Sequence, residues 1–157
     1  MAESIHLLDL AVPPEWIDYN GHMNMAYYLV AFDKSVDVLF DRLGLGQAYR
    51  RDTDHSMYML ESHLTYAREA KLGDKLAISA RLIDADEKRL HLFQRMQLAD
   101  GADVATMEGM VLHVALAGPK SAPFPAAARA RIETLLTEHR TLPIPREIGR
   151  KVGLKQK

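Results

Sequence analysis

Between Met25 and Leu43 the apolar residues recur at steps of three and four: Met25, Tyr28, Leu29, Phe32, Val36, Leu39, Phe40 and Leu43. That period lays a single apolar stripe along about five turns of a helix. Asn24 stands where an N-cap belongs, and Gly44 and Gly46 end the helix. Upstream, residues 5–12 read as a short strand closed by Pro13 and Pro14, which continue neither a ladder nor a helix. Residues 47–55 are polar and read as an exposed loop. From Ser56 the period changes to two. Tyr58, Leu60, Leu64 and Tyr66 alternate with Met59, Glu61, His63 and Thr65, as in a half-buried strand. Residues 75–83, 89–98 and 104–116 follow as three more strands. They are separated by turns at Gly73-Asp74, at residues 84–88 and at Asp100-Gly101.

One strand, one long helix and four further strands in a meander describe an α+β fold, an antiparallel sheet of about five strands wrapped around one central helix. A sheet of that kind leaves an edge strand open, and pairing two copies edge to edge is a ready remedy, so a dimer at least is expected. Residues 126–137 form a short further helix. Residues 1–140 read as one domain and 141–157 as a basic, Pro-broken tail, loosely held.

Composition narrows the function classes. The 157 residues carry 20 Lys and Arg against 21 Asp and Glu, a balance that offers no bulk charge for nucleic acid or a membrane surface. With no cysteine, thiolate catalysis and Cys-ligated metal sites are excluded. No run reaches the roughly 18 apolar residues a membrane span requires, and the N-terminus has no signal-peptide pattern, so a cytoplasmic protein is expected.

The chemistry-bearing residues cluster just before the long helix. Asp18, Asn20, His22 and Asn24 are spaced by two around Gly21. A carboxylate upstream of a helix N-terminus, where free N–H groups and the dipole favour developing negative charge, is a layout for attack on a carbonyl. The residues alone leave alternatives open. Asp18 is a reactive group or a turn carboxylate. Asn24 is a site residue or only a cap. His22 is a general base, a metal ligand or a satisfied polar group. The seven histidines form no HxxxH or HxH pair, so no metal is expected. Glu61 and His63 share one face of their strand, which either meets the helix N-terminus and lines a pocket or is solvated. Lys88, Arg89 and Lys120 are surface cations or, together, a phosphate site. There is no GxSxG elbow, Walker loop or GxGxxG.

The element order, with Asp18-Tyr19-Asn20-Gly21-His22-Met23-Asn24 opening the helix, resembles the hotdog-fold acyl-CoA thioesterases of the 4-hydroxybenzoyl-CoA thioesterase type. The same stretch is similar to the DxNxHVNN motif of acyl-ACP thioesterases. WIDYNGHMN at 16–24, YMLESHLTY at 58–66, KRLHLF at 88–93, ATMEGM at 105–110 and APFP at 122–125 resemble the betainyl-CoA thioesterases of carnitine catabolism, including those fused to carnitine dehydrogenases. The resemblance implies hydrolysis of a short-chain acyl-CoA, with Asp18 as nucleophile or general base and the Met25 N–H as oxyanion donor. It further implies Asn24 and His22 as positioning groups. Should Asp18 not be the working group, Glu61 or His63 is the candidate. Lys88, Arg89 and Lys120 would hold the CoA phosphates at a dimer or dimer-of-dimers interface. Trp16, Asn20, Tyr28 and Tyr58, together with Glu61, would face the acyl group, whose quaternary ammonium favours aromatic rings and a carboxylate. No cofactor is implied beyond the CoA of the substrate, and no nucleic acid or membrane partner. The alternatives are a hotdog thioesterase for an aromatic or fatty acyl-CoA, and a non-catalytic acyl-CoA-binding protein of the same fold.

Overall fold

The computed structural model describes residues 4–154. Helix α1 spans Met25–Leu43 and is capped at both ends as the residue types require. The Asn24 side chain accepts the N–H of Ala26 at the N-cap. At the other end Gly44 takes φ +75°, open to glycine without strain, and the Leu45 N–H closes on Phe40 O. The buried stripe is Tyr28, Ala31, Phe32, Ser35, Val36, Leu39, Phe40 and Leu43. Met25 and Leu29, expected in it, are 66% and 43% exposed.

The strands are β1 (Ile5–Ala11), β2 (His55–Tyr66), β3 (Lys75–Ala85), β4 (Arg89–Leu98), β5 (Asp103–Ala115) and a two-residue β6 (Lys120–Ser121) beside β5. The sheet order is β1-β3-β4-β5-β2, every pairing antiparallel, so the expected meander is corrected: β2 lies at the far edge, against β5. Strands β1 and β2 therefore run parallel on opposite edges. Parallel strands need a crossover between them, and α1 supplies it by lying across one face of the sheet. Leu76, Ile78, Ala80 and Leu82 of β3 and Leu90, Leu92, Gln94 and Met96 of β4 face the helix as the alternation predicts, all buried. Gln94 earns its burial by donating to Ser35 Oγ and Phe32 O of α1.

A β-bulge decides what β2 presents. Met59 pairs with Val111 and Glu61 with Met110, which leaves Leu60 as an extra residue. One extra residue inverts the alternation beyond it. Met57 and Met59 before the bulge, and Leu64 and Tyr66 after it, share the side of the buried Val111 and Met107. Tyr58, Glu61 and His63 fall on the outer face, opposite Leu112, Met110 and Glu108.

The stretch expected to be a loop after α1 instead holds a short helix, α2 (Gln47–Thr53). Tyr49 anchors it, its hydroxyl 2.9 Å from Nε2 of the buried His113. Helix α3 (Ala126–His139) buries Ala128, Ile132 and Leu136. Residues 142–149 beyond it are strapped across the outer face rather than loose. Arg81 on β3 donates to the carbonyls of His139, Leu142 and Pro143, Arg95 on β4 pairs with Glu147, and Glu108 on β5 accepts the Gly149 N–H.

Candidate active site

Residues 16–24 form a tight loop held by its own backbone. Ile17 bridges Met23, the Gly21 N–H closes a turn on Asp18 O, and Gly21 adopts φ +81°. The Asn24 N–H bonds Trp16 O and the Met23 N–H bonds Ala70 O at 2.7 Å, fixing the loop to the helix and to the segment after β2. Within this frame the Asp18 carboxylate is clamped at both oxygens. Oδ1 accepts the Asn20 N–H at 2.8 Å and Oδ2 accepts the Asn24 side-chain amide at 3.1 Å. Asn24 thus caps the helix with its oxygen and holds Asp18 with its nitrogen, and the carboxylate stands at the helix mouth.

The Asn20 N–H holds the Asp18 carboxyl below its ordinary value, against a smaller upward push from desolvation, with Asn24 and His22 adding to the lowering. Asp18 is therefore ionised at neutral pH. Among the described residues the N–H of Met25, the first of the helix, bonds no acceptor. It is one of the donors that a helix start leaves over, and the dipole adds to its pull on an anion.

Beside this pair lies an open cleft of about 530 Å³, walled by the 18–25 loop, Tyr28 and residues 66–69. Tyr66 reaches over the first turn to place its hydroxyl 3.2 Å from Met25 O, and its ring meets Tyr28 edge-to-face at 5.2 Å. The Tyr28 hydroxyl accepts the Ala70 N–H. Burial, above all, holds that phenol above its ordinary value. The Ala70 bond works against this, while Tyr66, Glu69 and Asp18 add to it.

Of the residues singled out in the sequence, Asp18, Asn20, His22, Asn24, Met25 and Tyr28 meet at this cleft. Trp16 does not. It is buried, stacked on Tyr27 at 5.3 Å, and serves the loop through its carbonyl. Glu61, His63 and Tyr58 lie outside the cleft, turned to the outer face by the bulge at Leu60. Lys88, Arg89 and Lys120 sit at the opposite end of the sheet. Tyr66 pairs with Ala105 at the cleft end of β5, whereas His113 bonds Lys88 O and Ala115 pairs with Lys120 at the other. Eight strand residues separate the two, roughly 25 Å. Arg89 is moreover paired with Asp86. Tyr66, Arg68 and Glu69 went unmarked in the sequence, although Tyr66 is in phase with Leu64 on the inward side of β2. Among the described residues no group of three or more His, Asp or Glu is placed to hold a metal ion.

The double duty of Asn24 makes Asn24→Ala a sharp test of the geometry. Loss of the cap costs about 1 kcal/mol, which lowers the melting temperature by about 2–4 °C in a chain of this size. The same substitution frees one oxygen of Asp18 and lowers kcat well beyond what the small loss of stability explains. Thermal melts and steady-state rates on one preparation separate the two effects.

Comparison with known proteins gives the family and the fold. The family described as the thioesterase-like superfamily matches residues 12–132. The betainyl-CoA thioesterase of Pseudomonas aeruginosa is 40% identical over 155 residues, covering 98% of this chain and 98% of that one. An L-carnitine dehydrogenase/betainyl-CoA thioesterase of Rhizobium meliloti is 40% identical over 97% of this chain, which spans 31% of that protein. Among solved structures, a protein of Staphylococcus aureus in complex with CoA superposes with a TM-score of 0.91 at 29% identity, covering 97% of each chain.

Proposed function

The chain belongs to the thioesterase-like superfamily and has the hotdog fold of a thioester hydrolase, and we propose that it hydrolyses betainyl-CoA to betaine and CoA. The observation that carries the mechanism is the clamped Asp18 carboxylate beside the open Met25 N–H. With the thioester carbonyl oxygen on the Met25 N–H, negative charge develops against the helix N-terminus, where a positioned donor is worth about 2.7–4 kcal/mol of barrier. Asp18 attacks the carbonyl carbon to form a mixed anhydride with release of the CoA thiolate, and water then hydrolyses the anhydride to betaine and restores the carboxylate; or Asp18 takes a proton from a water that itself attacks the carbonyl carbon and expels the thiolate. Its lowered pKa favours the first course. A base works best near the operating pH, whereas a nucleophilic carboxylate needs only to be ionised. A thioester is already activated, so the reading calls for no cofactor, and a cytoplasmic setting suits a CoA substrate.

The substrate assignment rests on the 40% identity to betainyl-CoA thioesterases over nearly the whole chain. Release of CoA from betainyl-, acetyl-, butyryl- and benzoyl-CoA tests it. Betainyl-CoA should have the highest kcat/KM, and a rate no better than acetyl- or butyryl-CoA removes the assignment.

The pH profile tests the role of Asp18. A group with a depressed pKa stays charged as the pH falls, so kcat/KM should hold level from neutral pH and decline only below the ordinary carboxylate value of 3.8. An acid limb near pH 6 would assign the reaction to another group.

The CoA phosphates lie with a second copy in this reading. Tyr58, Met59 and Leu60 are 45%, 41% and 55% exposed on the edge strand β2, an unpaired apolar edge suited to self-association. Pairing β2 antiparallel with its counterpart reverses the partner, so that its Lys88, Arg89 and Lys120 end is brought alongside the cleft end of the first copy. The basic residues that are remote within one chain then approach the site of the other.

A further inference from the structure

We propose that the Tyr66 ring, backed by Tyr28, and the Glu69 carboxylate form the subsite that selects a quaternary-ammonium acyl group; the inference rests on the thioesterase reading of the same cleft. In betainyl-CoA the nitrogen is two bonds from the carbonyl carbon, so the position of the carbonyl fixes where the cation must go. With the carbonyl oxygen on the Met25 N–H, the acyl group lies against the first turn of α1. The side chain that crosses that turn is Tyr66, its hydroxyl 3.2 Å from Met25 O.

Tyr66 is 46% exposed, so its ring is open to a ligand, and the buried Tyr28 supports it from behind, edge-to-face at 5.2 Å. Both hydroxyls are already engaged, Tyr66 with Met25 O and Tyr28 with the Ala70 N–H, which pins the rings in place. The pinned Tyr66 ring loses little freedom when a trimethylammonium packs on it. Such a cation has no N–H to donate and is held only by ring faces and by charge.

Charge comes from Glu69, three residues beyond Tyr66 on the same wall. Its one ion pair among the described residues is with Lys71 at 3.8 Å, loose and solvent-exposed, so its carboxylate is available to a second cation. Two carboxylates, Asp18 and Glu69, stand in the cleft against the single guanidinium of Arg68. Trp16 and Tyr58, which the resemblance places at the acyl group, are respectively buried and turned away.

The decisive comparison uses betainyl-CoA and 3,3-dimethylbutyryl-CoA, in which carbon replaces the nitrogen and shape is kept while charge is removed. The change in the ratio of their kcat/KM values between wild type and a variant isolates recognition of the cation, because folding and the intrinsic reactivity of each thioester cancel. Wild type should favour betainyl-CoA. In Glu69→Gln and in Tyr66→Leu the ratio should fall about tenfold, through KM for the betainyl substrate. Tyr66→Phe, which keeps the ring and loses only the hydroxyl, should retain most of it. A wild-type preference that survives both Glu69→Gln and Tyr66→Leu overturns the subsite and leaves the thioesterase reading intact. No wild-type preference for the charged substrate overturns the betainyl assignment, and the subsite with it.

Discussion

Asp18→Asn should lower kcat for thioester hydrolysis about a thousandfold while the protein melts at its usual temperature. The expectation follows from how the carboxylate is held. Its oxygens accept from the Asn20 N–H and the Asn24 side chain at the surface of the cleft, and an asparagine oxygen can accept the first of these in the same place. The substitution therefore removes nucleophilic and basic character and changes little in the loop. The Met25 N–H and the cleft remain, and their residual catalysis sets the floor. A rate within tenfold of wild type would mean that a water activated by another cleft residue, His22 or Glu69, does the work.

Phe32→Ala should have the largest effect on stability, about 3–5 kcal/mol, which in a chain of this length lowers the melting temperature by roughly 10 °C. Phe32 is fully buried at the centre of α1, and its carbonyl accepts from the buried Gln94 on β4. Helix and sheet are clamped at this point, and a ring-sized void there cannot be refilled by its tightly packed neighbours. The active loop rides on the same helix, so activity should be lost at temperatures where wild type still turns over. Calorimetry reads the first effect and rates measured across temperature the second. A shift of only a degree or two would mean that α1 is not the core on which the sheet is built.

How far the sequence reveals this protein depends on whether a feature is written locally. The helix, its Asn24 cap and its Gly44 stop are local and were legible. The alternation that buries Leu76 to Leu82 and Leu90 to Met96 was legible as well. Met25 and Leu29 share the apolar period, yet Met25 borders the cleft and Leu29 is exposed, and period alone cannot tell a core from a pocket wall. Helix α2 escaped because QAYRRDT has no apolar stripe; what anchors it is a hydrogen bond from Tyr49 to His113, 64 residues on. The place of β2 escaped for the same reason, since its partner β5 lies far along the chain. The single bulge residue Leu60 then decides the face of Glu61 and His63, which the alternation alone leaves open. In the site, the clustered polar residues of 18–24 were visible because they crowd one loop. Tyr66, Arg68 and Glu69 were not, because a strand end followed by polar residues resembles any turn until the helix is packed beside it.

The most direct test of Asp18 acting against the mouth of α1 is a crystal structure of the protein with a non-hydrolysable ketone analogue of betainyl-CoA. The carbonyl oxygen should sit within hydrogen-bond distance of the Met25 nitrogen, with an Asp18 oxygen facing the carbonyl carbon. An analogue whose carbonyl lies away from the helix mouth, with Asp18 turned to solvent, would contradict the mechanism.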